Sequence, residues 1–100
     1  MFILELTYIA PAERVDAVLS DHVAWLDKQY EAGVFIASGR KVQRDGGVIV
    51  AVSEDRAAIE AIVATDPFAV EKVADYRIIE FLATKTAAGL SPYRQQLPAT

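Results

Sequence analysis

The order in which the apolar residues change their spacing is the feature that most restricts the fold of this chain. Residues 2–9 alternate at period two, which predicts a strand, whereas residues 11–32 repeat their apolar positions at helical spacing. Further along, strand-like runs occupy residues 34–37 and 48–52, a helical pattern covers residues 53–65, and a last strand-like run covers residues 76–84. This succession predicts an α+β fold of ferredoxin-like order, βαββαβ, with a four-stranded antiparallel sheet and two helices on one face.

Turn and capping residues support these boundaries. The run Asp45-Gly46-Gly47 predicts a hairpin turn, and Ser53 is a candidate N-cap for the second helix. Asp66 followed by Pro67 predicts the start of a short helix that ends near Ala74. We therefore predict one domain over residues 1–84, and a tail or arm over residues 85–100.

Composition and charge exclude several classes of function. The chain has no cysteine and one histidine, which excludes a disulfide framework, a cysteine-ligated metal and a multi-histidine metal site within one chain. A net charge of −4 without a basic stripe argues against nucleic acid as a partner. No apolar run approaches the length of about 18 residues that a membrane span needs, and the first residues lack the basic region of a signal peptide. We expect a cytoplasmic protein that uses neither a metal nor another cofactor and does not bind a membrane.

One face of the predicted sheet has nothing to cover it. Two helices cover a single face, yet the strands at 48–52 and 76–84 are apolar on both faces, and the first strand adds Ile3 and Ile9 to its second face. A bare apolar face is normally buried against a partner, and a second copy of the chain is the simplest one. The pattern predicts a homodimer through this open face, with contacts from residues such as Ile3, Val48 and Ile79.

His22 and Asp66 are the leading candidates for chemistry, and each has a structural alternative. His22 lies on the apolar stripe of the first helix, where it is either a half-buried histidine bonded to a backbone carbonyl or a general acid or base. Asp66 is either a helix cap or a carboxylate that orients the histidine ring. The predicted topology places both on the same side of the sheet.

The end of the second strand supplies further candidates. Ser38 could donate a hydrogen bond to a substrate oxygen or simply end the strand, and Gly39 permits a bulge or the close approach of a ligand. Arg40 could receive an anionic substrate or lie on a solvated hairpin.

Five features in order resemble the YciI-like (YCII-related) domain proteins, over roughly residues 1–84. These are a histidine midway along the first helix, a glycine before the second strand, a Ser-Gly pair, a glycine-led hairpin and an Asp-Pro-Phe signature: His22, Gly33, Ser38-Gly39, Gly46-Gly47 and Asp66-Pro67-Phe68. The resemblance implies a ferredoxin-like domain that dimerises into an α+β barrel, and a cleft with a histidine–aspartate pair at His22 and Asp66. It also implies a role for Ser38, while Arg40 stands where members often have proline, so the rim of the cleft differs.

The resulting function hypothesis is a cofactor-independent small-molecule enzyme of the lyase or isomerase type. His22 would move a proton, Asp66 would orient it, and Ser38 or backbone N–H groups would stabilise a developing oxyanion. Phe68, from the signature, joins Ser38, Gly39 and Arg40 as a candidate for contact with an unknown small molecule. Some relatives look like dehydrochlorinases of hydroxylated aromatic rings, but no substrate follows from that resemblance. Two alternatives remain: a non-catalytic ligand-binding module, and a monooxygenase-like member of the dimeric barrel superfamily.

Overall fold

The computed structural model describes residues 1–99 and has the predicted order of elements. These are β1 (Phe2–Tyr8), α1 (Ala12–Glu31), β2 (Phe35–Arg40), β3 (Gly46–Ala51), α2 (Arg56–Val63), α3 (Pro67–Val70) and β4 (Ala74–Glu80), followed by a 3₁₀ helix over Ala88–Tyr93. The strands form one sheet in the order β2-β3-β1-β4, with every neighbouring pair antiparallel. The prediction of a ferredoxin-like α+β fold is confirmed.

The core lies between one face of this sheet and the helices. On β1 the alternate residues Phe2, Leu4 and Leu6 are buried, and their antiparallel neighbours on β3 and β4 share that face. We call it the helix face, and the opposite side the open face. Ile59 and Phe68 complete the packing from α2 and α3.

Helix α1 is the main cover of the helix face. Its buried side chains are Val15, His22 and Trp25, which recur at the spacing of one side of a helix. The helix ends where Gly33 adopts a φ of 75°, a left-handed conformation that favours glycine. The polypeptide then turns directly into β2.

Strand β2 differs from its predicted course in a way that affects the cleft. Ser38 and Gly39 do not end the strand but lie within it, and the irregularity falls between Phe35 and Ala37 instead of at Gly39. Phe35 lies opposite Ala51 and Ala37 opposite Val50, so Ile36 is an extra residue, a β-bulge. Phe35 is anchored in the core, and the bulge absorbs the residue that would otherwise shift the strand out of register.

Smaller differences concern the helix starts. Asp55, and not Ser53, caps α2, because its carboxylate accepts the Ala57 N–H at 2.9 Å while the Ser53 hydroxyl accepts the Asp55 N–H. Helix α3 is a single turn, and β4 begins at Ala74, two residues before its predicted start.

The open face is apolar only at one end. There Ile3 lies opposite Val50 on β3 and Ile79 on β4, and Ile79 is 39% exposed. Towards the other end Glu5 lies opposite Arg77 on β4, and its partner on β3 is Val48. The expectation that β4 is apolar on both faces was therefore wrong for its first half, where Asp75 and Arg77 occupy the open face.

The segment after β4 folds back on the domain. The backbone N–H of Gln95 donates to the Ala83 carbonyl at 2.9 Å, and its side-chain oxygen accepts the Ala83 N–H at 3.0 Å. The predicted tail over residues 85–100 includes Thr100, which lies outside the described residues. Across residues 1–99 the helices are all too short or too polar to cross a membrane.

Candidate functional site

A cleft of about 800 Å³ opens on the helix face, between α1 and the β2–β3 hairpin. One wall is α1, from Ala12 to Leu26, and the other is the hairpin, from Ser38 to Ile49. Leu6, Tyr8 and Phe68 contribute to its lining as well. The volume is that of a typical small-molecule site, and most of the lining is apolar.

His22 lines this cleft, and Asp66, which does not line it, contacts the histidine ring from the buried side. Nδ1 of His22 lies 2.7 Å from Oδ1 of Asp66, although 44 residues separate them along the chain. Asp66 is completely buried and His22 is 8% exposed. The histidine therefore makes a side-chain contact with a carboxylate, not with a backbone carbonyl.

The Asp66 carboxylate has three protein partners. Oδ1 accepts the Phe68 backbone N–H at 2.9 Å as well as the His22 ring, and Oδ2 accepts the Tyr76 hydroxyl. Capping and contact with the histidine, which are alternative interpretations of the sequence, are thus simultaneous properties of one side chain. Because a buried carboxylate without partners is costly, these donors stabilise its position.

Tyr76 is the residue of this cluster that sequence reasoning missed. Burial, the charge of Asp66 and the hydrogen bond to it raise the pKa of Tyr76 well above its ordinary value, so the phenol keeps its proton and donates it. A usable signal was present: Ala74, Tyr76 and Ile78 alternate on β4, and Tyr76 lies opposite the buried Leu6. To identify Tyr76 one needs the start of β4, which the sequence pattern placed two residues too late, and its pairing with β1.

The ring of His22 is held from the side by aromatic contacts. It lies parallel to the Phe68 ring, with centroids 4.0 Å apart and an angle of 6° between the planes. Trp25, one turn further along α1, lies 5.7 Å from it and donates its indole N–H to the Thr65 hydroxyl at 2.9 Å. His22 and Trp25, on successive turns of α1, thus contact the adjacent residues Asp66 and Thr65, and these contacts fix where the helix lies above the sheet.

These contacts leave Nε2 as the free atom of the imidazole. The carboxylate of Asp66 accepts hydrogen bonds from its other partners, so it favours the tautomer in which Nδ1 carries the proton. Within residues 1–99 every buried side-chain nitrogen or oxygen has a partner, and Nε2 has none, so Nε2 is not fully buried. Since His22 lines the cleft, Nε2 is its candidate atom for contact with a ligand there.

The remaining predicted residues line the same cleft from two different elements. Ser38, Gly39 and Arg40 line the hairpin wall, and Phe68 lines the inner side against His22. The Ser38 hydroxyl lies 2.6 Å from the Tyr30 hydroxyl, which links the hairpin wall to the last turn of α1. If Tyr30 donates, the Ser38 proton is available to a ligand oxygen.

The described chain offers a proton-transfer group and hydrogen-bond donors, but no cluster of metal ligands. Over residues 1–99, no three histidine, aspartate or glutamate side chains are grouped so that they could hold a metal ion. The imidazole, its buried carboxylate and a neighbouring hydroxyl are sufficient to accept, hold and return a proton.

Comparisons with known proteins bear on the fold and the family. The family model of the YCII-related domain matches residues 1–82. A solved structure, 5-chloro-2-hydroxyhydroquinone dehydrochlorinase from Burkholderia phenoliruptrix AC1100 in complex with 2,5-dihydroxybenzoquinone, superposes with a TM-score of 0.64. The two sequences are 15% identical, and the alignment covers 81% of this chain and 93% of that one. No curated protein sequence gives a significant match.

Proposed function

The chain belongs to the YCII-related domain family, and we propose that it is a small-molecule enzyme of the lyase or isomerase type. The observation that carries the proposal is the contact of a fully buried carboxylate with Nδ1 of the only histidine, at 2.7 Å, on the wall of an apolar cleft. A histidine held by a carboxylate on one nitrogen and open on the other is suited to act as a general base and then as a general acid.

In the proposed reaction Nε2 of His22 removes a proton from a carbon or hydroxyl group of the substrate. The electron pair of the broken bond stays on the substrate as an enolate or phenolate, and Asp66 stabilises the imidazolium that forms. The proton then returns to a different atom of the substrate, which is isomerisation. Alternatively the electron pair expels a leaving group as its anion and the proton passes from Nε2 to solvent, which is elimination. Neither course requires an oxidant or a reductant, and Ser38 could donate to the oxyanion.

The dehydrochlorinase supports this class of reaction without identifying the substrate. Its name describes the net loss of HCl from a hydroxylated ring, and its bound molecule is a dihydroxybenzoquinone. Loss of HCl is an elimination, and it needs a base of the kind that His22 provides. At 15% identity the likeness concerns the fold, so the reaction class comes to this chain as a proposal.

A panel of small hydroxylated rings and carbon acids tests the proposal. Chloride release from chlorinated members reports elimination, and uptake of deuterium from solvent by the others reports proton transfer. His22→Gln should reduce the rate roughly a hundredfold to ten-thousandfold, the range for loss of a general base. Asp66→Asn should also reduce it strongly, since an amide cannot stabilise the imidazolium by charge.

A matched control separates orientation of the histidine from helix capping. Asp55, like Asp66, caps a helix by accepting the N–H two residues further on at 2.9 Å, but it touches no histidine. Asp55→Asn should therefore leave the rate unchanged. Turnover in His22→Gln equal to the wild type would contradict the proposal, and ligands that bind in the cleft without any reaction would favour a non-catalytic binding module.

We further propose that the protein is a homodimer that buries its open face. Ile3, Val50 and Ile79 form an apolar group at one end of that face, and Val48 lies beside it, opposite Glu5. Because none of the helices in residues 1–99 covers this side of the sheet, the group remains partly in contact with water in a single chain. Pairing of two such faces around a two-fold axis would remove it from water.

A further inference from the structure

The β-bulge at Ile36 determines which way Arg40 faces. Beyond the bulge Ser38 lies opposite Ile49 and Arg40 opposite Gly47, and Ile49 is buried on the helix face. Residues directly opposite one another in antiparallel strands share a face, so Arg40 is directed to the side of the cleft. Without the extra residue, Arg40 would be on the open face.

Arg40 belongs to a cross-strand row that ends at the histidine–aspartate pair. Arg40 lies opposite Gly47, Gly47 opposite Leu6, and Leu6 opposite Tyr76, whose hydroxyl donates to Asp66. Two strand spacings, roughly 10 Å, separate the backbone of Arg40 from that of Leu6. Gly47, which stands between Arg40 and Leu6, has no side chain, so the sheet surface next to the arginine is open at this position.

The two arginines that line the cleft have no carboxylate partner within the described chain. Across residues 1–99 neither Arg40 nor Arg44, both in the lining, forms an ion pair with a carboxylate. Two acidic residues also line the cleft: Asp45 lies 4.0 Å from Lys41, and Asp16, on α1, pairs with neither arginine. A free guanidinium beside apolar walls is suited to a carboxylate, which it binds through two parallel hydrogen bonds.

We propose that the substrate is a small planar acid, bound through its carboxylate to Arg40 and with its unsaturated body over Gly47. This inference rests on the proposed function, because it places the labile proton of the acid near Nε2 of His22. The bond that breaks is a C–H or O–H bond of the planar body; its electron pair stays on the substrate and its proton goes to Nε2. The carboxylate takes no part in the bond changes and serves for recognition.

Binding of a matched pair of probes tests the inference without turnover. We would measure the dissociation constants of 4-hydroxybenzoate and of the neutral 4-hydroxybenzamide by NMR titration of the backbone amides. For the wild type we expect the acid to bind at least roughly tenfold more tightly than the amide, as for a charge-assisted contact. Arg40→Gln should remove this preference, and Arg40→Lys, which keeps the charge but loses the planar fork, should keep part of it.

Arg77→Gln is the control for the loss of a positive charge as such. Arg77 lies on the open face of the same sheet, and its substitution should leave the preference for the acid intact. His22→Gln should also keep the preference. If the wild type prefers the acid but turns over no substrate, the catalytic proposal fails while this inference stands. Equal binding of acid and amide to the wild type, no detectable binding of the acid, or a full preference in Arg40→Gln would each overturn the inference.

Discussion

At the scale of single residues, Asp66 combines roles that sequence reasoning treats as alternatives. Its Oδ1 accepts the N–H of Phe68 and contacts His22, and its Oδ2 accepts the hydroxyl of Tyr76. An aspartate before proline at a helix start is predictable as a cap from the sequence alone. Its contacts with residues 44 positions earlier and 10 positions later depend on packing, and they are what turn the cap into part of a candidate site.

The raised pKa of Tyr76 predicts a loss of stability at alkaline pH. Since the phenol in the folded state ionises above the value of about 10 found in unfolded chains, its contribution is fully present below that pH. As the pH rises above about 10, the unfolded state alone loses this proton, and the free energy of unfolding falls by about 1.4 kcal/mol per pH unit. Urea unfolding at a series of pH values measures this slope.

The variant Tyr76→Phe separates this effect from other alkaline changes. At neutral pH it should lower the free energy of unfolding by about 1–3 kcal/mol, because Oδ2 of the buried Asp66 loses its donor. Above pH 10 its slope should be shallower than that of the wild type. Tyr93→Phe, which removes a tyrosine without contact to Asp66, should follow the wild-type curve; identical slopes in Tyr76→Phe and the wild type would be inconsistent with the account.

At the scale of the elements, the sequence patterns predict the order of strands and helices but not the details that shape the cleft. Periodicity finds β1 and α1 because each has a long apolar repeat on a definite face. The bulge at Ile36 leaves no local signature, since it arises from the pairing of β2 with β3. Arg40 could therefore be named as a candidate from the sequence, whereas the face it occupies could not.

The β2–β3 hairpin has no room for a side chain at Gly46. A Cβ atom there would lie 1.8 Å from the Leu6 carbonyl oxygen on the neighbouring strand, so a side chain requires the backbone to move. We expect Gly46→Ala to lower the free energy of unfolding by at least about 2 kcal/mol, measured by urea denaturation. Gly39→Ala, on the partner strand with nothing within 4 Å, is the matched control and should change stability little. Equal effects of the two substitutions would argue against this packing.

At the scale of the whole molecule, the open face predicts the oligomeric state. Light scattering should give twice the chain mass of 10.9 kDa. We expect the interface of this dimer to bury more than about 1,000 Å² in total. Ile79→Glu, which places a charge in the apolar group, should yield monomers. Val42→Glu, at a hairpin position that is 94% exposed, controls for the added charge and should remain dimeric. A wild-type protein that is monomeric at micromolar concentration would rule out the proposed dimer.

The contacts of the segment after residue 84 predict that the rest of the chain folds without it. We propose that residues 1–84 fold on their own. The 3₁₀ helix buries none of its residues in the core, and the segment is attached chiefly through Gln95, which bonds to Ala83 and to the amino group of Met1. A chain without residues 88–100 should unfold cooperatively in urea, with a midpoint close to that of the full chain. Loss of a cooperative transition would show that the segment is part of the folding unit.

The proposed function requires that Asp66 holds His22 in one tautomer with Nε2 open to the cleft. The ¹⁵N chemical shifts of the imidazole report this tautomer, and because His22 is the only histidine the signals need no assignment. In the neutral ring we predict a protonated Nδ1 and an unprotonated Nε2, and a shift of this population in Asp66→Asn but not in Asp55→Asn. A neutral ring protonated mainly at Nε2, or an unchanged tautomer ratio in Asp66→Asn, would show that Asp66 does not set the tautomer of His22.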